Sequence, residues 1–398
     1  MPLEIIKQRS RGFICVNAHP EGCRRKVARQ VRAITSHAPA GLSGPHNVLV
    51  IGASTGYGLA ARIATAWGFR ARTLGVFFER PPEGNKTATA GYYNTVAFQE
   101  LARKDGLLAA SLNGDAFSDE VKRRAAEAIR KDFGKLDLVV YSLAAPKRTH
   151  PRTGQVHHSV LKPIGEAFSS RTIELDAEKV VSVTIPPADE KEIADTVAMM
   201  GGEDWRLWMG MLLEAGLLAE GARTVAFSYL GPELTWPIYR NGTIGQAKKD
   251  LDATARNLDA LLQKRLGGNA WISVNKAVVT QASAAIPVVP LYLSLLPPVM
   301  KKKGLEESPI EQMRRLCTDF LVAGKDGPRD AEGRIRLDDC ELRPDVQAEV
   351  NRLWPQITTE NLLELTDFAG FKREFRNLFG FEIEGVDYDQ PTETDLRW

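Results

Sequence analysis

The sequence predicts an α/β fold, a doubly wound parallel sheet with a substrate-side insertion and a helical C-terminal extension. Three observations predict it. Apolar strands alternate with amphipathic or charged helices between residues 47 and 146. A glycine-rich turn, G-x-x-x-G-x-G, joins the first strand of that run to its first helix. Beyond residue 146 the next strand is delayed by more than about seventy residues, where two to six plus one helix is usual.

Taken in order, residues 1–46 read as an N-terminal extension packed on the core. NVLVIG (47–52) is the first strand and GLAARIATAWGF (58–69) its helix. TLGVFFER (73–80), LLAASLNGD (107–115) and LDLVVYSLAAP (136–146) are strands two to four, with charged helices at 91–105 and 118–133 between them. Residues 47–146 thus form one nucleotide-binding half. The insertion, 147–222, holds a basic turn-rich segment, an extended run VVSVTIPP (180–187) and a helical pair carrying Trp205 and Trp208. It opens at the carboxyl end of a strand, where such sheets bind ligands, which suits a substrate cover. Strands TVAFSYLG (224–231) and AWISVNKAVVT (270–280) lie in the second half, 223–303. Residues 304–398 turn charged and helical through about 381 and end in an acidic tail.

Composition excludes several function classes. With 52 basic and 50 acidic residues there is no field to favour nucleic acid or an anionic membrane. Cys15, Cys23, Cys317 and Cys340 lack metal-type spacing, so they are expected reduced and packed, and no metal site is expected. His157-His158 is expected to be structural or solvated. DGPRDAEGRIRLDD (326–339) imitates a calcium loop starting at Asp326, but Pro328, Ala331 and Leu337 occupy positions that need an oxygen ligand, a glycine and a glutamate. The first residues carry early charges and no apolar stretch of signal-peptide length, so a cytoplasmic protein is expected. The uncharged run from Ala277 to Met300 is broken by Pro287, Pro290, Pro297 and Pro298, with Gln281 and Ser283 inside it, and reads as a soluble apolar wall rather than a membrane span.

The loop Gly52-Ala53-Ser54-Thr55-Gly56-Tyr57-Gly58 follows a strand and opens a helix. Glycines let backbone approach a pyrophosphate, and the helix N-terminus offers unpaired N–H groups. Glu79 ends the second strand, where a carboxylate accepts from ribose hydroxyls and repels a 2′-phosphate, so NADH is expected over NADPH. Arg80 beside it is the one residue that argues the other way. Asp115 ends the third strand and can accept an adenine amino group, with Ala116 beside it; its alternative is a helix cap ahead of Ser118. Leu143 and Ala144 end the fourth strand, where the cofactor ribose can lie against the sheet. Together these make a Rossmann-type dinucleotide site.

Tyr239 and Lys248 stand nine apart in YRNGTIGQAKK (239–249). At about 100° per residue they point opposite ways on one regular helix. The turn signal Asn241-Gly242 and the apparent capping box Thr243-x-x-Gln246 place Tyr239 on a loop and Lys248 in the first two turns of a helix. That helix continues as a stripe of Ile244, Ala247, Leu251, Leu258, Leu261 and Leu262.

Short-chain dehydrogenases pair Tyr-x3-Lys, but position 243 is Thr, and Ala226 stands where their serine would be. Type I enoyl-acyl-carrier-protein reductases have S-Y-L-G and Tyr-x6-Lys; here Ser228-Tyr229-Leu230-Gly231 is present but position 246 is Gln. Tyr-x8-Lys, with GASTGYGLA, FFER, GYYN (91–94), NGDAFS (113–118), VVYSLAAP, KAVVTQASAAIP (276–287) and PLYLSLL (290–296), closely resembles the FabV-type enoyl-acyl-carrier-protein reductases and related trans-2-enoyl-CoA reductases over nearly the whole chain. The resemblance implies NADH-dependent reduction of the trans-2 double bond of enoyl thioesters on acyl carrier protein or coenzyme A, the last step of fatty acid elongation, by a monomer that needs no metal. It implies that Tyr239 is the proton donor, that Tyr229 contacts substrate and that Lys248 holds the cofactor. Gly52 to Tyr57, Phe78, Glu79, Asp115, Ala116, Leu143, Ala144, Val278, Val279 and Thr280 would line the NADH. The residues alone leave open which of Tyr239 and Tyr229 protonates the product, and the apolar segment from Ile286 to Met300 reads either as an acyl wall or as core. A ketoreductase and a non-catalytic NAD sensor are the competing readings.

Overall fold

A computed structural model of the chain describes residues 3–11, 14–37, 43–322, 324–325 and 327–398. Asp326, where the rejected calcium loop would begin, lies outside the described residues, as do residues 1–2 and 12–13 of the N-terminal reading. Seven strands form the main sheet: β1 (Asn47–Ile51), β2 (Arg72–Phe77), β3 (Ala109–Asn113), β4 (Leu136–Tyr141), β5 (Leu218–Ser228), β6 (Asn269–Val274) and β7 (Ile335–Arg336). Their order is β7-β6-β5-β4-β1-β2-β3, and every pairing is parallel. The chain winds outward one way from β1 and the other way from β4, so the crevice between those two strands is the topological switch point. The seventh strand departs from expectation. Residues 335–336 sit in the charged stretch read as helical, yet they extend the sheet beside β6.

The larger helices are α1 (Pro20–Thr35), α2 (Gly56–Gly68), α3 (Ala90–Lys104), α4 (Asp119–Ala128), α5 (Glu190–Met200), α6 (Glu203–Glu214), α7 (Thr243–Leu266), α8 (Val289–Lys302), α9 (Pro309–Leu316), α10 (Pro344–Leu353) and α11 (Phe368–Leu378). Val48 to Ile51 are all fully buried, as expected for a parallel strand covered on both faces. Alternation then sends Val48 and Val50 into a core with α1, α2 and α9, and Leu49 and Ile51 into a second core with α4, α6 and α7. Trp205 and Trp208 are fully buried in that second core. So α6 serves as the crossover helix between β4 and β5. Two hairpins and α5 precede it in the insertion.

A third core lies off the sheet. It joins Ile173 and Ile185 of the longer hairpin (Phe168–Glu174 with Lys179–Ile185), the apolar side chains of α8, Phe368, Phe371 and Phe375 of α11, and Ile238. Arg171 clamps the hairpin there by donating to the carbonyls of Pro355 and Ile357, both at 2.9 Å. Most of 289–300 is therefore core rather than an open acyl wall. Pro297 and Pro298 do not break α8 but lie inside it. Among the described residues no helix is long and apolar enough to cross a membrane.

A buried ion pair fastens α4 to α6. Lys122 Nζ lies 2.8 Å from Asp204 Oδ1, with both side chains under 5% exposed. Tyr141 donates to the other Asp204 oxygen at 3.1 Å, and Lys122 also donates to the carbonyls of Ala116 and Phe117. All four cysteines are free thiols, three of them buried.

Candidate active site

Parallel topology alone gathers most of the singled-out residues. The glycine loop follows β1, Phe78 and Glu79 follow β2, Asp115 follows β3, Leu143 and Ala144 follow β4, Tyr229 follows β5, and residues 278–280 follow β6. All emerge at the carboxyl edge of one sheet, where an α/β crevice binds its ligand.

The loop is built for close approach. Gly52 has φ +86°, and a Cβ there would lie 2.3 Å from the Ser142 carbonyl oxygen; one on Gly58 would lie 1.9 Å from the carbonyl oxygen of Gly52. Gly56 also has a left-handed φ, +54°, but faces open space. Thr55 is the N-cap of α2, yet its side chain makes no cap bond, so the N–H groups of the first turn stay available to an anion. Ala53 is buried, and its N–H donates to Val76. Ser54 Oγ donates to Glu79 Oε1 at 2.6 Å, which fixes the carboxylate over the loop. Burial raises the Glu79 carboxyl, and the hydroxyls of Ser54 and Thr89 pull it back. Gly91 makes room for this arrangement, since a Cβ there would meet Glu79 Oε1 at 1.9 Å. These features fit the pyrophosphate and ribose of a dinucleotide.

Other residues have more mixed placements. Phe78 is 78% exposed, a ring free at the rim of the crevice. Asp115 accepts from the N–H of Phe117 at 3.0 Å, while Ser118 itself caps α4 through Val121 N–H. The carbonyl of Ala116 is held by Lys122 and by Trp208 Nε1, both at 3.1 Å. Tyr57 reaches across the sheet edge: its hydroxyl donates to the Lys276 carbonyl at 2.8 Å and meets Gln312 Oε1 at 3.0 Å. Leu143 is half-buried and Ala144 exposed at the crevice. Val279 is buried, and Val278 is tied down by Ser283 Oγ, which donates to its carbonyl at 3.1 Å. Thr280 caps the short helical turn Gln281–Ala284.

Tyr239 lies in the loop and Lys248 in the first two turns of α7. The capping box does not form. Gly242 is the N-cap, and Thr243 instead staples the insertion, its hydroxyl donating to Val160 O at 2.6 Å and its N–H to Lys162 O at 3.0 Å. Leu261, placed on the buried stripe from sequence, is 38% exposed. Tyr229 and Tyr239 come together edge to face, with ring centroids 5.1 Å apart. Burial pushes both hydroxyls well above the ordinary tyrosine range, and Glu341 adds to it. Lys248 forms no hydrogen bond or ion pair with a described residue, and burial lowers it to about 8, against the partial help of Asp252. Arg334, from the extension, holds Asp252 at 3.3 Å.

The sequence reading missed Glu341. This carboxylate is fully buried, taking Tyr229 and Tyr292 hydroxyls on Oε1 at 3.0 and 2.8 Å and the Ala277 N–H on Oε2 at 2.7 Å. Tyr292 was the available signal: a hydroxyl in an apolar helix needs a buried partner, although nothing local says which. Among the described residues no three His, Cys, Asp or Glu side chains are grouped to hold a metal. His157 pairs with Asp195 at 2.8 Å instead.

Comparison with known proteins places these features in a family. Residues 86–322 match a family model described as the trans-2-enoyl-CoA reductase catalytic region, 5–84 its NAD(P)H binding domain, and 329–392 an enoyl reductase FAD binding domain. The residues at 329–392 do not fit a flavin: β7 leads to α10 through 337–343, which holds no glycine, and Phe368, Phe371, Phe375, Phe379 and Phe381 are buried in the third core. The chain is 55% identical to the enoyl-[acyl-carrier-protein] reductase [NADH] of Opitutus terrae over 98% of this chain and 99% of that one. It is 57% identical to the protein of that name from Erwinia tasmaniensis, over 99% and 98%. The structure of Treponema denticola trans-2-enoyl-CoA reductase in complex with NAD superposes with a TM-score of 0.95 at 46% identity, covering 99% of this chain and all of that one. With matches of this extent, the chain belongs to the trans-2-enoyl-CoA reductase family.

Proposed function

We infer that the chain reduces the trans-2 double bond of an enoyl thioester with NADH, using Tyr239 as hydrogen-bond and proton donor and Lys248 to hold the cofactor ribose. The observation that carries this is the Tyr229–Tyr239 pair, 5.1 Å between rings, standing at the same sheet edge as the glycine loop and Glu79. NADH, when bound, supplies the hydride that adds to the β-carbon. Negative charge then builds on the thioester oxygen as an enolate. A tyrosine hydroxyl aimed there stabilises it, and burial keeps that hydroxyl protonated throughout the neutral range. The acyl chain arrives on a phosphopantetheine arm, which acyl carrier protein and coenzyme A share. Of the basic run Lys301, Lys302 and Lys303, the last is already paired with Asp345 at 3.0 Å.

Loss of NADH absorbance on adding crotonyl-CoA tests this reading. A saturated thioester is the expected product. Turnover of a β-ketoacyl thioester would place the chain among ketoreductases, and NADH binding without turnover would make it a sensor.

Two further results are expected of the cofactor residues. Because Glu79 repels a 2′-phosphate, Glu79→Ala should narrow the preference for NADH over NADPH by roughly tenfold, about 1.4 kcal/mol. A ratio of kcat/KM values equal to that of the wild type would remove Glu79 from that role. Lys248 must be an ammonium to bind ribose hydroxyls and support the tyrosine. Burial disfavours the cation, so Lys248 is mostly charged at pH 7 and neutral above about 8. In the free enzyme kcat/KM for NADH should therefore fall as pH rises through about 8, and Lys248→Met should flatten that limb. A limb that survives the substitution belongs to another group.

A further inference from the structure

We propose that Glu341 is a positioning residue that takes the proton of Tyr229 and thereby leaves Tyr239 as the group that donates to the substrate oxygen. The inference rests on the enoyl reductase reading and extends it to a side chain outside the family's tyrosine and lysine motif. Glu341 lies on the turn between β7 and α10, far along the chain from either tyrosine. Its partners fix its protonation pattern. The Ala277 N–H can only donate to Oε2. Tyr292 already accepts from Gln347 Nε2 at 3.2 Å, so its own proton goes to Oε1 of Glu341. A second lone pair on Oε1 receives the Tyr229 hydroxyl. Burial raises the Glu341 carboxyl, and the Ala277 N–H, Lys276 and the two tyrosine hydroxyls pull it back. Three donors converging on one carboxyl is an arrangement that suits the ionised form.

The charged and titratable groups around it are few. Lys276 is the cationic neighbour, its Nζ donating to the Ala277 carbonyl at 3.0 Å. Asp338, which acts on Tyr292, is held by Arg336 at 2.8 Å. Tyr57, Tyr229, Tyr239 and Tyr292 are the tyrosines Glu341 acts on. A tyrosine has one proton to give. With that of Tyr229 committed to Glu341, its oxygen faces the crevice only as an acceptor, while Tyr239 keeps a proton to direct.

Glu341→Gln reverses this polarity without changing shape. The glutamine oxygen must face the Ala277 N–H, so its NH₂ donates to the two tyrosine oxygens and turns the Tyr229 proton outward. In a Tyr239→Phe background, adding Glu341→Gln is therefore expected to raise kcat for crotonyl-CoA about tenfold. No rise, or a further fall, would overturn the proposal, because a purely structural glutamate can only lose activity when replaced. Should the double variant fail to fold, the single variants decide: with Glu341 in place, Tyr229→Phe is expected to lose less kcat than Tyr239→Phe, and the opposite ranking contradicts the assignment. Wild-type turnover measured alongside separates the two levels. An inactive wild type sinks the enoyl reductase reading, whereas an active wild type with no gain in the double variant sinks the role of Glu341 alone.

Discussion

Tyr239→Phe is expected to lower kcat about 10²–10³-fold, the usual cost of losing one donor to a developing oxyanion. The substitution removes an oxygen and little else. The phenylalanine ring keeps the edge-to-face packing on Tyr229, and the backbone keeps its hydrogen bond from Tyr239 N–H to Thr235 O at 2.9 Å. NADH affinity should change little, since the glycine loop and Glu79 lie on other strand ends. An interaction made mainly in the transition state lowers kcat and kcat/KM together, so KM for the enoyl thioester should hold. Steady-state kinetics with a separate NADH titration checks all three. A variant within threefold of wild type would remove Tyr239 from the chemistry.

The second large effect concerns stability. Asp204→Ala strands the Lys122 ammonium in the core, where its remaining partners are the carbonyls of Ala116 and Phe117. Removing one member of a buried pair costs about 3–5 kcal/mol, because the other charge stays buried without compensation. Tyr141 loses its acceptor as well. Equilibrium urea unfolding should show a lower midpoint at an unchanged slope. The double substitution Lys122→Met with Asp204→Leu should recover much of the loss, since it removes both charges. A single-variant loss below about 1 kcal/mol would mean that water reaches the pair.

Why some features were legible and others were not follows from where their information lies. β1 and β4 could be read because a strand buried on both faces is a continuous apolar run, and the glycine loop because each glycine answers a local steric demand. The Tyr239 loop and the Lys248 helix followed from Asn241-Gly242, the helical period and a Thr243-x-x-Gln246 capping box that does not form. β7 could not be read. Two residues, Ile335 and Arg336, in a stretch of charges carry no strand signal, and their pairing with Ser273 and Val274 is purely tertiary. Thr243 has the chemistry of a cap, but the backbone of Val160 and Lys162 competes for it and wins. Glu341 looks like one more surface acid in DDCELRPD; only the fold brings Tyr229, Tyr292 and Ala277 around it.

The central claim is conjugate reduction, with hydride placed on the β-carbon while the tyrosine holds the thioester oxygen. It is tested most directly by running crotonyl-CoA turnover in ordinary water with NADH deuterated at the transferring C4 position and locating the label by NMR. The account predicts one deuterium at C3 of a saturated butyryl thioester and a solvent proton at C2. Label on a carbon bearing a hydroxyl, or at C2, would contradict it.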